Sequence, residues 1–468
     1  MKKTLPEITI AAALIPVLFL IASLAVTIVV FKESAHIPLI LSAAVAAVVG
    51  ILHGRKWKDI EKGMVHGITL ALSAVLILMI VGTMIGAWIQ GGIVPAMIFY
   101  GLKVLSPGIF LVATLLICSI VSIGTGSSWS TAGTVGVALI GVGQGLGVPI
   151  PMTAGAIISG AYFGDKMSPL SDTTNLAPAV AGTDLFTHIR HMLAVVVPGY
   201  AIALIIFAVL GTRFAGGRME TGDIDFLLNT IDANFFIHPI LLLPPLLVIV
   251  MVVLRIPPLP ALLGGTIIGG IFAVVAQTAS LAEVVRAAQS GFESATGVAM
   301  VDELLTRGGL ESMMSTVALI ICALSFGGIM ERTGMLEVLA AALLKRVRST
   351  GSLVTTTVLS CIGMNAVASD QYLAIVIPGR MYKKAYEDRG LHPKNLSRAL
   401  ENSGTMTSPL IPWNSCGAFM HATLGVNPLL YLPFAFFNLA VPLISVFYGY
   451  TGITMARAEP ADDVATGK

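Results

Sequence analysis

The chain has 468 residues, of which 56% are hydrophobic and only 11% are charged, and its mean hydropathy is +0.91. A soluble protein carries about a quarter charged residues, so this composition excludes a soluble globular fold and indicates that lipid is the solvent. The net charge of +2 shows no basic excess. Nucleic acid is therefore excluded as a predicted partner, and the lipid bilayer remains.

Thirteen apolar runs follow one another along the chain and predict membrane helices of two kinds. The longest runs reach the roughly 20 residues that a straight span requires. The shorter runs are interrupted by Gly, Ser, Thr, Asn and Pro, which are tolerated at membrane depth only where they face protein or a watery cavity. The runs cover residues 8–31, 37–54, 67–90, 109–122, 131–146, 150–164, 190–212, 236–254, 258–278, 312–331, 352–377, 404–420 and 429–450.

The two halves of the chain resemble each other. The stretch 86–92 corresponds to 328–334, and Ser-Pro-Leu at 168–170 recurs at 408–410. A near-constant shift of about 240 residues favours a duplicated unit over chance similarity between apolar segments. If each unit crosses the membrane five times, the odd number inverts the second unit relative to the first. Inverted repeats with broken helices at their interface are typical of secondary transporters.

The predicted architecture is an all-α polytopic membrane protein with two inverted repeats, about ten crossings, two re-entrant hairpins and two broken helices. Of the 27 Lys and Arg residues, 20 then fall on the side of the N-terminus and six on the other. The positive-inside rule therefore places both termini in the cytoplasm. The first repeat covers 1–225, with a hairpin at about 109–146 and a broken helix at about 150–178; the second covers 226–455, with a hairpin at about 352–377 and a broken helix at about 395–420; a cytoplasmic tail covers 456–468.

The first predicted break is rich in oxygen-bearing side chains. Pro169 lacks an N–H and disfavours helical geometry at Ser168, so a helix is expected to break there. The break frees backbone carbonyls, and these oxygens, together with side-chain oxygens, are the ligands that a hard cation such as Na⁺ prefers. An exposed polar loop between two helices is the alternative. The candidate ligands are Asp165, Ser168, Asp172, Thr173, Thr174 and Asn175.

The second break and the two hairpin tips add further candidates. Glu401 precedes the second Ser-Pro pair, either as a cavity carboxylate or as the charged end of a basic loop. Asp370 lies within a long apolar run, where an acidic side chain marks an ion or proton path unless it pairs with a neighbouring Lys or Arg. The remaining candidates are Ser127 and Ser128 at the first tip, Asn365 and Ser369 at the second, and Ser408 and Asn414 at the second break.

Lys166 directly follows Asp165 in the first break. Adjacent residues on a helix do not face each other, so the two side chains are expected to have separate roles. The ammonium group of Lys166 could be a structural counter-charge or could occupy the empty cation site, and the sequence leaves both interpretations open.

Three segments together resemble one known family. The stretch 155–178, which contains Gly-Asp-Lys-Met-Ser-Pro-Leu-Ser-Asp-Thr-Thr-Asn, resembles the signature of the NhaC-type sodium/proton antiporters, and 124–129 and 408–414 resemble the same family. The resemblance covers essentially the whole chain. It implies the paired hairpins and broken helices of the wider ion-transporter superfamily. That family also contains antiporters that exchange malate for lactate with sodium and protons.

The functional hypothesis is exchange of Na⁺ for H⁺ across the plasma membrane, with no cofactor and with the two ions as cargo. A buried carboxylate is neutralised by either a proton or Na⁺, so competition for one carboxylate is sufficient for exchange if the empty charged site does not reorient. Asp172 and Asp370 are the leading carboxylates. The predicted Na⁺ ligands are Asp172, Thr173, Asn175, Asn365 and Asp370.

Several alternatives remain open at this point. A sodium-coupled exchanger of small carboxylates would need a cation near the hairpin tips, such as Lys166 or Arg380. A membrane enzyme is disfavoured because the sequence contains neither a nucleophile elbow nor an H-E-x-x-H motif. A channel would not couple the movement of two ions. The sequence leaves a homodimer and the exchange stoichiometry open.

Overall fold

The computed structural model describes residues 8–70, 72–214 and 221–458, and within these ranges the chain is almost entirely helical. Pairing of extended backbone in the described residues is limited to two isolated bridges, Phe292 with Arg307 and Leu391 with Arg457. The all-α prediction is therefore confirmed. The predicted tail, 456–468, lies outside the described residues from position 459 onward.

The described ranges form 24 α-helices, some of which are continued by π-helical or 3₁₀ turns. The π turns are Val26–Val30, Ala132–Gly136 and Glu401–Thr405, and the 3₁₀ turns are Pro239–Leu242, Ser408–Leu410 and Leu432–Phe434. The helices are α1 Ile10–Ala25, α2 His36–Leu52, α3 Trp57–Leu70, α4 Leu72–Gln90, α5 Ile93–Val104, α6 Pro107–Thr125, α7 Ser128–Thr131, α8 Val137–Gly145, α9 Ile150–Met167, α10 Asp172–Ala181, α11 Leu185–Thr212, α12 Thr221–Asn234, α13 Leu243–Val253, α14 Pro258–Val275, α15 Leu281–Ser290, α16 Ala299–Leu305, α17 Leu310–Thr333, α18 Met335–Leu344, α19 Thr350–Val367, α20 Gln371–Glu387, α21 Pro393–Leu400, α22 Ser415–Leu424, α23 Pro428–Tyr431 and α24 Phe436–Thr451.

Seven helices of the described chain are long and apolar enough to cross a membrane, and the number is nine if each of two bent helix pairs is one span. The bends measure 96° between Ile224–Asn234 and Pro239–Val253, and 64° between Pro428–Phe434 and Phe436–Thr451. Shorter apolar helices such as His36–Leu52 account for further predicted segments. The chain is therefore a multi-pass membrane protein. The seven are Ile10–Ile28, Leu72–Gln90, Pro107–Thr125, Leu185–Thr212, Pro258–Val275, Leu310–Thr333 and Thr350–Val367.

In the structure, each predicted hairpin segment consists of helices joined by a turn. In the first, α6 turns at Gly126, whose φ of +66° favours glycine, and Ser127 caps α7. In the second, α19 turns at 368–370, and Asp370 caps α20. The second hairpin continues to Glu387, ten positions beyond the predicted end at 377. The prediction ended where basic residues begin, but charged side chains do not terminate a helix that can extend into water.

Both predicted breaks are also present. α9 ends at Met167, Ser168 is extended, and α10 begins one residue after its cap, Ser171. In the second half, a π turn and a 3₁₀ turn follow α21, and Asn414 caps α22. The first break is buried on one side only: Asp165, Ser168 and Ser171 are buried, whereas 169–170 and Asp172 are exposed.

The elements around the two breaks recur in the same order and with one shift. The first residues of α6 and α19, Pro107 and Thr350, are 243 positions apart. The two Ser-Pro pairs are only 240 positions apart. With a shift of 243, the 3₁₀ turn at 408–410 corresponds to 165–167, where α9 is still helical, so the second break begins three residues earlier. The separation of 243 also holds for Ser127 and Asp370, for the starts of α9 and α21, for Ser171 and Asn414, and for the starts of α11 and α23.

Helix packing brings the hairpins and breaks together. α6 packs along α9, α10 packs against α20 and α21, and α19 packs against the π turn at 401–405. Trp129 of α7 stacks on Phe419 of α22, with ring centroids 4.0 Å apart, so the first hairpin tip also contacts the second broken helix. These contacts place all four oxygen-rich segments in one region of the protein.

Candidate functional site

A cavity of about 580 Å³ lies where the two hairpin tips meet the two helix breaks. Its wall carries three carboxylates and one guanidinium group, and α4 and the turn between α13 and α14 complete it. The polar lining residues are Ser73, Thr125, Ser127, Ser128, Asp165, Ser171, Asp172, Thr173, Arg255, Asp370, Gln371, Tyr372 and Ser415.

Asp165 connects the first hairpin tip to the first break. Only 7% of this residue is exposed, and its Oδ2 accepts hydrogen bonds from the backbone N of Ser128 at 3.2 Å and from the Ser128 hydroxyl at 2.7 Å. A buried carboxylate requires such donors because burial removes its hydration. Since Asp165 also lines the cavity, its position is suited to binding a cation there.

Asp370 lies at the second hairpin tip, where it corresponds to Ser127 of the first tip. Its Oδ1 accepts hydrogen bonds from the backbone N of Tyr372 at 2.9 Å and of Leu373 at 3.0 Å. These partners are backbone groups at the start of α20 rather than a Lys or Arg side chain. The preceding Ser369 has a φ of +59°, and its buried hydroxyl makes no hydrogen bond in the described chain. Strained backbone of this kind is concentrated at functional sites.

The five predicted Na⁺ ligands are not brought to one place. Asp172 and Thr173 line the cavity with Asp370, although the Asp172 side chain is exposed. Asn175 is exposed, and its amide donates to the carbonyls of Pro169 at 2.9 Å and Ser171 at 2.7 Å, which closes the loop of the first break. Thr174 donates to the carbonyls of Asp165 and Lys166, and Ser168 contributes its hydroxyl to the same loop.

Asn365 and Asn414 stabilise the second break instead of lining the cavity. The Asn365 amide donates to the carbonyl of Gly404 at 2.6 Å and to the hydroxyl of Thr407 at 3.0 Å. Asn414 donates to Asn365 Oδ1 at 3.1 Å, and its own Oδ1 accepts from the N of Cys416. Ser408 donates to the carbonyl of Thr405 at 2.7 Å. The second tip is joined to this network where Ser415 N donates to the carbonyl of Ser369 at 3.0 Å.

Replacement of Asn414 by Ala is expected to destabilise the second break. The loss of a helix cap costs about 1 kcal/mol, and an Asn365 oxygen left without its buried donor costs about 1–3 kcal/mol more. A lower melting temperature in detergent would measure this effect. Asn427→Ala, which removes the cap of the short α23 at a partly exposed position, is the matched control and should cost only about 1 kcal/mol for the lost cap. Equal losses in the two variants would contradict the assignment.

Glu401 brings the two breaks into contact. It is fully buried in the π turn, and its Oε1 accepts a hydrogen bond from Thr173 of α10 at 3.1 Å. The interpretation of Glu401 as the charged end of a loop is therefore wrong, because the π turn directs the side chain inward. Its Oε2 has no hydrogen-bond partner in the described chain. π turns within helices occur frequently at functional sites.

Seven polar residues of the cavity lining are not among the candidates predicted from the sequence: Ser73, Thr125, Ser171, Arg255, Gln371, Tyr372 and Ser415. Arg255 follows α13, has a left-handed φ of +65° and lines the cavity. Gln371 and Tyr372 line the cavity immediately after Asp370. In the sequence, only their position next to Asp370 indicated that they belong to the site. For Arg255 the indication was weaker: it is a cation between two apolar runs, two residues before Pro257.

The described residues contain no group of three or more His, Cys, Asp or Glu side chains that could hold a metal ion. The cavity wall instead offers carboxylate and hydroxyl oxygens, which are the ligands that hard cations prefer.

Paired helical hairpins, broken helices and a polar cavity between them are typical of secondary transporters. The chain belongs to the Na⁺/H⁺ antiporter family, whose model matches residues 160–453.

Three relatives with similar sequences are antiporters with different named substrates. The chain is 43% identical over 431 residues to the Na(+)/H(+) antiporter NhaC of Alkalihalophilus pseudofirmus, with coverage of 92% of this chain and 93% of that protein. It is 40% identical to the Malate-2H(+)/Na(+)-lactate antiporter of Bacillus subtilis, with coverage of 89% of each. It is 38% identical to the arginine/ornithine antiporter ArcD of Halobacterium salinarum, with coverage of 96% of this chain and 93% of that protein.

Proposed function

We propose that this protein exchanges Na⁺ for H⁺ across the plasma membrane and that the cavity is its ion-binding site. The observation that carries the proposal is Asp165, a buried carboxylate on the cavity wall that also joins a hairpin tip to a helix break. Because burial disfavours an unpaired negative charge, the carboxylate is stabilised by either a proton or Na⁺. Asp172, Thr173 and Asp370 supply further oxygens on the same wall.

Alternating access would move the hairpins and breaks relative to the remaining helices. The common shift of 243 residues supports two repeats, and an odd number of crossings in each repeat would invert them. The hydrogen bond from Thr173 to Glu401 and the stacking of Trp129 on Phe419 tie the two halves of the site together, so we expect them to move as one body. The distribution of Lys and Arg supports cytoplasmic termini.

The exchange is tested in proteoliposomes that contain a pH-sensitive dye. An imposed gradient of ²²Na⁺ should drive protons in the opposite direction, and a proton gradient should drive ²²Na⁺ uptake. The rates should saturate with Na⁺ concentration, and Na⁺ movement should be coupled to proton movement. A channel would not show both properties. Empty liposomes and a K⁺ gradient of equal size are the controls. Na⁺ movement that leaves the internal pH unchanged would exclude the proposal.

A second candidate function is exchange of a small carboxylate, and Arg255 is the observation that favours it. Of the cations proposed for this role, Lys166 is fully buried away from the cavity and Arg380 is exposed outside it. Arg255 lines the cavity instead, and a guanidinium group binds carboxylates in bidentate geometry. The malate/lactate antiporter among the relatives is consistent with this function.

Replacement of Arg255 by Gln separates the two candidates. If the cavity takes a carboxylate, uptake of malate or lactate coupled to Na⁺ should fall by about tenfold or more, because a charge-assisted pair is lost. Exchange of Na⁺ for H⁺ alone should then change little. The measurement is ¹⁴C-malate and ¹⁴C-lactate uptake in the same proteoliposomes, with Arg380→Gln as the control. Absence of carboxylate uptake in the wild type removes this candidate.

A further inference from the structure

Lys166 is a buried cation without a hydrogen-bond partner. Its side chain is 0% exposed, and its Nζ makes no hydrogen bond in the described chain. A buried ammonium group is costly unless negative charge lies near it, so its surroundings must supply that charge. Lys166 does not line the cavity, whereas the adjacent Asp165 does. Neighbouring residues on α9 thus point in different directions.

Two carboxylates supply this charge. α9, which carries both Asp165 and Lys166, packs against the π turn that carries Glu401. Glu401 is fully buried and its Oε2, like Lys166 Nζ, has no hydrogen-bond partner in the described chain. Glu401 and Asp165 are the carboxylates that favour the charged form of Lys166. Arg398 is the neighbouring cation on α21, but its guanidinium group is held by the Thr454 hydroxyl at 2.8 Å. Lys166 is therefore the buried cation available to balance the two carboxylates. The other titratable groups that interact with this cluster are His188 of α11, which bonds to Ser397, and Cys361 of α19. Tyr162, Asp172 and Tyr372 interact with Asp165, and of these three Asp172 is exposed.

We propose that Lys166 is a positioning residue that cancels one of the two negative charges of Asp165 and Glu401, so that the buried cluster binds one cation and not two. Two carboxylates and one ammonium carry a net charge of −1, which one Na⁺ or one proton neutralises. Without the ammonium group the cluster would carry −2 and would require two cations. Lys166 would thereby determine the number of ions exchanged in a cycle. This inference rests on the proposed exchange of Na⁺ for H⁺.

The first test compares the thermal stability of four forms of the full-length protein in detergent, in NaCl and in choline chloride of equal ionic strength. The forms are the wild type, Lys166→Met, Glu401→Gln and the double variant. Lys166→Met should be less stable in choline chloride and should gain more from Na⁺ than the wild type does, because ligands stabilise the state that binds them. Glu401→Gln leaves a neutral cluster and should lose most of the Na⁺ effect. The double variant again carries −1 and should regain the wild-type response.

The second test counts ions, because a purely structural role for Lys166 would not change the count. In proteoliposomes with a pH dye and a potential-sensitive dye, Lys166→Met should carry one more cation in each cycle than the wild type. The double variant and the conservative Lys166→Arg should return to the wild-type count. In Lys166→Met the apparent affinity for Na⁺ should rise by about tenfold or more, since one repulsive charge near the ion is removed.

Each outcome decides the proposal. It is overturned if Lys166→Met responds to Na⁺ as the wild type does, or if Glu401→Gln fails to compensate in the double variant. If Lys166→Met alone does not fold, a folded double variant supports the proposal. A double variant that fails to fold while Glu401→Gln folds overturns it. Absence of any Na⁺ effect or exchange in the wild type would instead exclude the proposed function itself, so the two failures are distinguishable.

Discussion

Replacement of Asp165 by Asn is expected to reduce Na⁺-driven proton movement to the level of empty vesicles, a loss of about a hundredfold or more. Asn has nearly the same shape, and its carbonyl oxygen can still accept the hydrogen bonds from Ser128. The variant should therefore fold, but the cavity wall would lose the buried charge that attracts a cation. Dye-reported pH change after addition of Na⁺ to proteoliposomes measures the effect, and unchanged melting temperature confirms folding.

Two further variants make this prediction specific. Asp388→Asn removes an exposed carboxylate after α20, far from the cavity lining, and should leave exchange unchanged. Asp172→Asn removes the exposed carboxylate that the sequence favoured, and we expect a smaller effect, because solvent screens an exposed charge. Normal exchange in Asp165→Asn would exclude Asp165 from the site. Complete loss in Asp172→Asn with normal exchange in Asp165→Asn would restore the sequence-based assignment.

Replacement of Gly164 by Ala is expected to disrupt the packing of α9 against α6, the first helix of the first hairpin. A Cβ at this position would lie 2.5 Å from Ile123 N and 2.5 Å from Ser122 Cβ, both on α6. Gly160, one turn earlier, meets the Leu115 carbonyl of the same helix equally closely. Small residues four positions apart allow the backbones of membrane helices to approach. One of the opposing atoms belongs to the backbone and cannot rotate away. Gly164→Ala should therefore lower the free energy of unfolding by about 3 kcal/mol or more.

The measurement is the yield of monodisperse protein in size-exclusion chromatography together with the melting temperature. Gly363→Ala is the matched control, because a Cβ at this exposed position of α19 meets nothing within 4 Å. The free energy of unfolding of Gly363→Ala should rise by about 0.5–1 kcal/mol, since alanine restricts the unfolded chain more than glycine does. A Gly164→Ala protein as stable as the control would show that α6 and α9 can separate without cost. The contact between Ser128 and Asp165 would then need another explanation.

Several features could be predicted because they depend on local chemistry. The lengths of the apolar runs indicated membrane helices without any knowledge of their neighbours. Pro169 and Pro409 indicated both breaks, since proline lacks an N–H wherever it occurs. The small and polar residues at 124–131 and 365–371 indicated the hairpin tips. The motif at 155–178 indicated the family that the comparisons confirm.

The burial and contacts of the candidate side chains were decided only by tertiary structure. Ser128 lies 37 positions from Asp165 and Glu401 lies 228 positions from Thr173, so no local pattern could show that they meet. The sequence therefore favoured Asp172, which is exposed, over Asp165, which is buried. Burial depends on which face of a helix packs against distant segments. For that reason the composition and motifs determined that this protein is a membrane transporter of its family, while packing between distant helices decided which carboxylates are buried.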